Sequence, residues 1–137
     1  MDESLKKLQE DFVSSYIRKE KRERLLFELN NEKRRYSGLD RFCHHTKEPL
    51  DERKILYAGT RLEEEKVYLD LLKNKGKKSC ILLSPDPYLD CKEMTLEEAV
   101  KEMFLCNDAC ILIGNDFALM QEEAMKGGTD RYLLKRK

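Results

Sequence analysis

The sequence predicts an α/β fold, a mostly parallel sheet of about four strands with flanking helices behind an N-terminal helical extension. Residues 51–137 alternate short, continuously apolar runs with segments whose apolar residues recur every three or four positions. Strands become continuously apolar when helices cover both faces of a sheet, the arrangement usual for parallel strands joined by right-handed crossovers. Residues 1–50 carry only the helical period. A chain of 137 residues without repeats, low-complexity tracts or a Pro/Gly/Ser-rich linker is one domain's worth of material. The expected organisation is a helical extension over residues 1–50 packed on an α/β core over residues 51–137.

In the first segment, Leu5, Leu8, Phe12 and Tyr16 recur at helical spacing, and Leu25, Leu26 and Leu29 continue an apolar face beyond a charged stretch. Asn30-Asn31 is the expected stop and Ser37-Gly38 the following turn. The core then opens with a strand over Lys54–Ala58 ending at Gly59-Thr60, and a helix over Leu62–Lys73 that closes at Asn74-Lys75-Gly76. Ser79–Leu83 reads as a buried strand stopped by Ser84-Pro85-Asp86-Pro87. Thr95 with Glu98 three residues on is a capping-box signature, opening a helix to about Leu105. Ala109–Ile113 reads as a third strand ending at Gly114-Asn115-Asp116, Phe117–Lys126 as a helix closed by Gly127-Gly128, and Arg131–Leu134 as a fourth strand, at the sheet edge.

In a parallel sheet, ligands bind where the carboxyl ends of the strands gather loops and helix N-termini. The candidate ligand-binding residues are therefore Gly59, Thr60, Arg61, Ser84, Asp86, Gly114, Asn115 and Asp116, small or polar groups that also serve as ordinary caps and turns. The stretch from Asp40 to His45 reads as a polar loop over the sheet, which adds His44 and His45 as acid, base or phosphate contacts. Adjacent histidines point in different directions and no C-x-x-C or H-x-x-x-H accompanies them, so no metal site is assigned. Asp86 and Asp90, four apart beside two prolines, fit a solvated turn or a paired-acid site. No dinucleotide, P-loop or hydrolase-elbow motif is present, and no cofactor is implied.

Residues 54–134 resemble the nucleoside 2-deoxyribosyltransferase-like proteins, a small flavodoxin-like α/β group. The similar elements are Lys54-Ile55-Leu56-Tyr57-Ala58-Gly59-Thr60, Gly76 with the strand ending in Ser84-Pro85, and Cys106-Asn107-Asp108-Ala109-Cys110 leading into Ile111-Leu112-Ile113. The resemblance implies a flavodoxin/Rossmann-like sheet. It also implies a helical glutamate, Glu122 or Glu123, as nucleophile at the anomeric carbon, with Asp86 and Asp116 orienting the substrate. The chain departs from that pattern at Val100, where an acid is expected, at Thr60, where proline is expected, and in the short loop after Gly114, which lacks a serine.

Lysines and arginines number 27, as do aspartates and glutamates, so bulk charge recruits neither polyanions nor a membrane surface. Between Ile17 and Arg35, however, eight basic residues face four acidic ones. A solvated helix face held by weak ion pairs is one reading of that stretch, and a patch for an acidic partner or nucleic acid is another. The five cysteines form no paired framework, the start is polar and no apolar run approaches the ~20 residues of a membrane span, so a cytosolic protein with reduced thiols is expected. The expected function is binding of a nucleoside, nucleotide or phosphosugar at the carboxyl edge of the sheet, with a nucleoside N-glycosidase or deoxyribosyltransferase-like activity as its enzymatic form. The alternative is a non-catalytic interaction module, an immunity or regulatory factor, that engages a protein through its charged helical half. A homo-oligomer is compatible with either.

Overall fold

The computed structural model describes residues 3–44, 49–59, 65–72, 79–106, 109–114, 116–122 and 131–135. Helices α1 (Glu3–Tyr16), α2 (Lys19–Asn30) and α3 (Glu32–His44) come first, and a 3-10 turn at Glu52–Lys54 leads into β1 (Ile55–Gly59). Then follow α4 (Glu65–Leu71), β2 (Ser79–Leu83), β3 (Lys92–Thr95), α5 (Leu96–Cys106), β4 (Cys110–Ile113), β5 (Phe117–Gln121) and β6 (Arg131–Lys135).

The six strands form one sheet in the order β1-β6-β5-β4-β2-β3, and every neighbouring pair is antiparallel. This overturns the expected mostly parallel, Rossmann-like sheet of about four strands, and with it the flavodoxin-like fold that the family resemblance implies. The burial inference was sound; the direction inference was not. One face of the sheet, with Leu83, Ile111, Ile113, Ala118, Met120, Tyr132 and Leu134, packs in a single apolar cluster with Leu5, Phe12, Tyr16, Leu29, Leu39 and Phe42 of the first helices. The other face, with Cys80, Leu82, Cys110, Leu112, Leu119 and Leu133, packs with Tyr68 of α4 and Leu96, Val100 and Met103 of α5. Successive side chains alternate between two apolar layers, so β4 and β5 are buried at every position whichever way they run.

Connections decide direction. Residues 114–116 are too few for a crossover, which needs about a dozen residues or more, so β4 and β5 can only form a hairpin. Gly114 allows its tight closure: it donates its N–H to the Phe117 carbonyl at 3.0 Å, and a Cβ there would collide with the edge of the Phe117 ring. Phe117–Gln121 was expected to begin a helix and is instead β5; its four consecutive apolar residues fit a strand buried on both faces. Strand β6 lies between β1 and β5, not at an edge. The true edges are β1 and β3, and β3 exposes Lys92 and Glu93, charges that discourage further strand pairing.

Local signals were obeyed where a side chain enforces them. Thr95 and Glu98 form the reciprocal capping box that starts α5: the Thr95 hydroxyl accepts from the Glu98 N–H at 3.3 Å, and the Glu98 carboxylate accepts from the Thr95 N–H at 3.4 Å. Helix α2 stops at Asn30, and Asn31 turns the chain with its side chain accepting from the Lys33 N–H at 3.0 Å. The turn expected at Ser37-Gly38 does not exist, since both residues lie inside α3. Gly38 serves close helix approach there: a Cβ would stand 2.7 Å from Cβ of Glu28 on α2. An antiparallel bridge between Ile17 and Leu50 ties the chain after α3 to the α1–α2 corner, with the Arg18 N–H donating to the Pro49 carbonyl at 2.7 Å.

Candidate functional site

Extending α3 through Gly38 places Tyr36, Asp40 and His44 on one helical stripe, because residues four apart share a face. That stripe lines a cleft of about 380 Å3 whose opposite side is the β2–β3 connection, with Ser84, Pro85, Asp86 and Pro87, and Ala109 just before β4. The expected polar loop from Asp40 to His45 is thus, through His44, the last turns of a helix. His44 Nδ1 lies 2.7 Å from the Asp40 carbonyl oxygen and 3.4 Å from Asp40 Oδ1. An acceptor carbonyl needs a hydrogen on Nδ1, which leaves Nε2 as the basic nitrogen when the ring is neutral.

The connection opposite is held by a buried ion pair. Arg35 of α3 donates from Nε to Asp90 Oδ2 at 2.7 Å and from Nη2 to Asp90 Oδ1 at 3.0 Å, a forked pair whose side chains are only 10% and 16% exposed. The guanidinium also donates to Gln9 Oε1 at 2.6 Å, to the Leu29 carbonyl at 2.8 Å and to Cys91 Sγ at 3.2 Å. Burial by itself would lower the Arg35 pKa, but the Asp90 carboxylate outweighs it and the net shift is upward. Asp90 Oδ1 also accepts from the Ser84 N–H at 3.2 Å, the Ser84 hydroxyl accepts from the Asp86 N–H at 3.0 Å, and Asp86 Oδ1 accepts from the Tyr88 N–H at 2.9 Å. The loop closes at Cys91 with a left-handed φ of 66°, a conformation that costs a non-glycine residue about 1–2 kcal/mol and so needs such anchoring.

Ser84, Asp86 and His44, all nominated from sequence, share this cleft. The other nominated residues among those described do not. Gly59 ends β1 at the same margin of the sheet, but β6, β5 and β4 intervene before β2. Gly114 and Asp116 sit at the opposite margin, because β4 runs against β2 and Ile113 pairs with Ile81 while Ile111 pairs with Leu83. The expected convergence of three strand ends is therefore absent. Glu122 follows β5 outside any helix, half-buried, and does not line the cleft. Thr60, Arg61, Asn115, Glu123 and His45 lie outside the described residues.

Tyr36, Arg35 and Gln9 were not singled out as a site from sequence. The four-residue spacing of Tyr36, Asp40 and His44 is visible in the sequence, but Ser37-Gly38 read as a turn conceals it. Asp86 and Asp90 separate in role: the first lines the cleft and the second is consumed by Arg35. At the same margin on the other face, Arg131 donates to Gln121 Oε1 at 2.7 Å with its guanidinium 3.8 Å from the Phe104 ring centroid, bracing β5 and β6 against α5.

Cys43, Cys80 and Cys91 are not activated as nucleophiles. Burial pushes Cys43 up to about 12 and Cys80 up to about 11, and burial together with the Asp90 charge raises Cys91 against the opposing influence of Arg35. Among the described residues no group of three or more His, Cys, Asp or Glu side chains is placed to hold a metal ion, and no helix is long and apolar enough to cross a membrane. Compared with protein-family models, curated proteins and solved structures, the chain matches none.

Proposed function

We propose that the protein binds a small hydroxyl- or amine-bearing molecule in the cleft between α3 and the β2–β3 connection. The observation that carries this is the cleft itself, about 380 Å3 with Asp40 and His44 on one side and Ser84 and Asp86 on the other. That volume lies at the lower end of the range for small-molecule sites, roughly 300–1,000 Å3. Carboxylates accept hydrogen bonds from hydroxyl and ammonium groups and repel phosphate. The described lining holds two carboxylates, Asp40 and Asp86, which favour a neutral or cationic ligand over a phosphate ester. Pro85, Pro87 and Tyr36 supply apolar surface for a ring or carbon skeleton. Anchoring by Arg35 and Asp90 prepares the loop before binding, which reduces the ordering cost of association. No glycosyl-transfer step is assigned: Glu122 does not line this cleft, and Glu123 lies outside the described residues.

A thermal-shift series tests the reading with amino sugars, polyols and the phosphate esters of the same compounds. A ligand at a hundred times its Kd stabilises by about 2.7 kcal/mol, a rise of several degrees for a domain of this size. Unphosphorylated members are expected to raise Tm, their phosphates not, and Asp86→Asn with Asp40→Asn to abolish the rise. Equal shifts from the phosphates, or shifts retained in the double variant, would overturn it.

A further inference from the structure

Carboxylates are only half of what the cleft between α3 and the β2–β3 connection presents. Among the described phenylalanines and tyrosines three are exposed, Phe27, Tyr36 and Tyr88, and two of the three stand at this cleft. Tyr36, 61% exposed, lines it from α3, while Tyr88, 91% exposed, follows Pro87 of the facing wall. We propose, resting on the reading that this cleft is the ligand site, that its ligand is an uncharged saccharide. Its pyranose ring stacks on Tyr36, its hydroxyls donate to Asp40 and Asp86, and Tyr88 covers it from the facing wall.

A pyranose carries C–H groups on its faces and hydroxyls around its rim, so it needs a flat apolar platform bordered by hydrogen-bonding groups. Tyrosine supplies such a platform at low cost, being rigid, amphipathic and stable with one end in water. Asp40 follows Tyr36 by one helical turn, about 6 Å along the axis, so a carboxylate flanks the platform. Asp86 is oriented on the other wall: its N–H donates to the Ser84 hydroxyl at 3.0 Å and its Oδ1 accepts from the Tyr88 N–H at 2.9 Å. A carboxylate has about four acceptor positions, so that one bond to Oδ1 fixes the group and leaves capacity for hydroxyl donors. The same bond ties the Tyr88 backbone to the lining. A lone exposed aromatic means little; one on each wall of a cleft that also holds acceptors is a different matter. A quaternary ammonium would meet the same side chains, but cation–π attraction is strongest in a desolvated cage, and these rings are open to water. Stacking on a sugar face instead grows with the apolar area covered, which is largest on an open ring. A nucleobase would also stack, yet its edge mixes acceptors with donors, and carboxylates satisfy donors only. Every hydroxyl of a pyranose rim can donate.

Isothermal titration calorimetry on the full chain tests this with methyl hexopyranosides of gluco, galacto and manno configuration, the matching open-chain alditols, tetramethylammonium and adenosine. At least one pyranoside is expected to bind roughly tenfold more tightly than its alditol, which has the hydroxyls without the rigid ring face. Tyr36→Ala should weaken that pyranoside about tenfold and Tyr88→Ala about threefold, while Tyr36→Phe, which keeps the ring, should bind as wild type does. Both tyrosines are exposed, so circular dichroism should show each variant folded, and the two positions give independent readouts. Equal affinity for pyranoside and alditol, or an affinity unchanged by either alanine variant, would overturn the saccharide assignment and leave a cleft for hydroxyl groups in general. Binding of tetramethylammonium or adenosine more tightly than every pyranoside would overturn it in favour of a cation or a base. Silence from all of these compounds, together with the amino sugars and polyols, would remove the cleft as a ligand site altogether.

Discussion

Asp90→Ala removes the acceptor from a guanidinium that cannot follow it into water. Arg35 would keep Gln9, the Leu29 carbonyl and Cys91 Sγ but lose both charge-assisted bonds to Asp90, and the Ser84 N–H would lose its acceptor. Breaking a buried pair from one side costs about 3–5 kcal/mol, because the remaining charge stays desolvated. Three Arg35 partners survive, so the lower end, about 3 kcal/mol, applies. At roughly 2.1 cal/mol/K per residue the unfolding entropy of this chain is about 290 cal/mol/K, and Tm should fall by roughly 10 °C. Urea unfolding followed by circular dichroism gives the free energy, and a thermal scan gives Tm. Arg35→Met combined with Asp90→Leu should recover much of the loss, since it removes both charges instead of stranding one. A single variant within about 1 kcal/mol of wild type, or a double variant worse than the single, would refute a buried, mutually dependent pair.

Gly38→Ala should destabilise by about 1–3 kcal/mol despite the better helix propensity of alanine, because its methyl meets Cβ of Glu28 at 2.7 Å and wedges α2 from α3; a more stable variant in urea melts would contradict that close approach. Glu28 is held below its ordinary 4.5 by its hydrogen bonds from Arg41, so its contribution to stability is present above the unfolded-state pKa and lost as pH falls through the depressed folded-state value. Stability measured from pH 6 down to about 2 should therefore fall more steeply in wild type than in Glu28→Gln, and parallel profiles would exclude this linkage. With their pKa values pushed to about 12 and about 11, Cys43 and Cys80 should resist alkylation in native protein at pH 8 and react only after denaturation; mass spectrometry showing native modification of Cys43 would count against its burial.

Sequence alone located much of the regular structure: Ser79–Leu83 as a strand, the Thr95–Glu98 start of α5, the end of α2 at Asn30, and the apolar residues that became the core. These features arise from neighbours a few residues apart, so a capping side chain or a run of apolar residues reports them directly. Strand direction is different in kind. A two-sided apolar run such as Cys110–Ile113 records that both faces are covered and carries no information about which way its neighbour runs. Misassigning Phe117–Gln121 hid the short hairpin connection that would have revealed the direction, and the loop after Ile113 was thereby assigned to the wrong margin of the sheet.

The candidate site divides the same way. Ser84 and Asp86 stood out as polar residues at a strand end and His44 as part of a polar loop, but their assembly with Tyr36 and Asp40 depends on α3 crossing the β2–β3 connection. Arg35 and Asp90, 55 residues apart, leave no local trace, because a buried ion pair is specified only when two distant elements meet. Composition and periodicity determined what must be buried and where helices begin. Tertiary packing alone decided which buried charges find each other, which strands run opposed, and which polar residues share a cleft, since those outcomes depend on contacts across the sheet rather than along the chain.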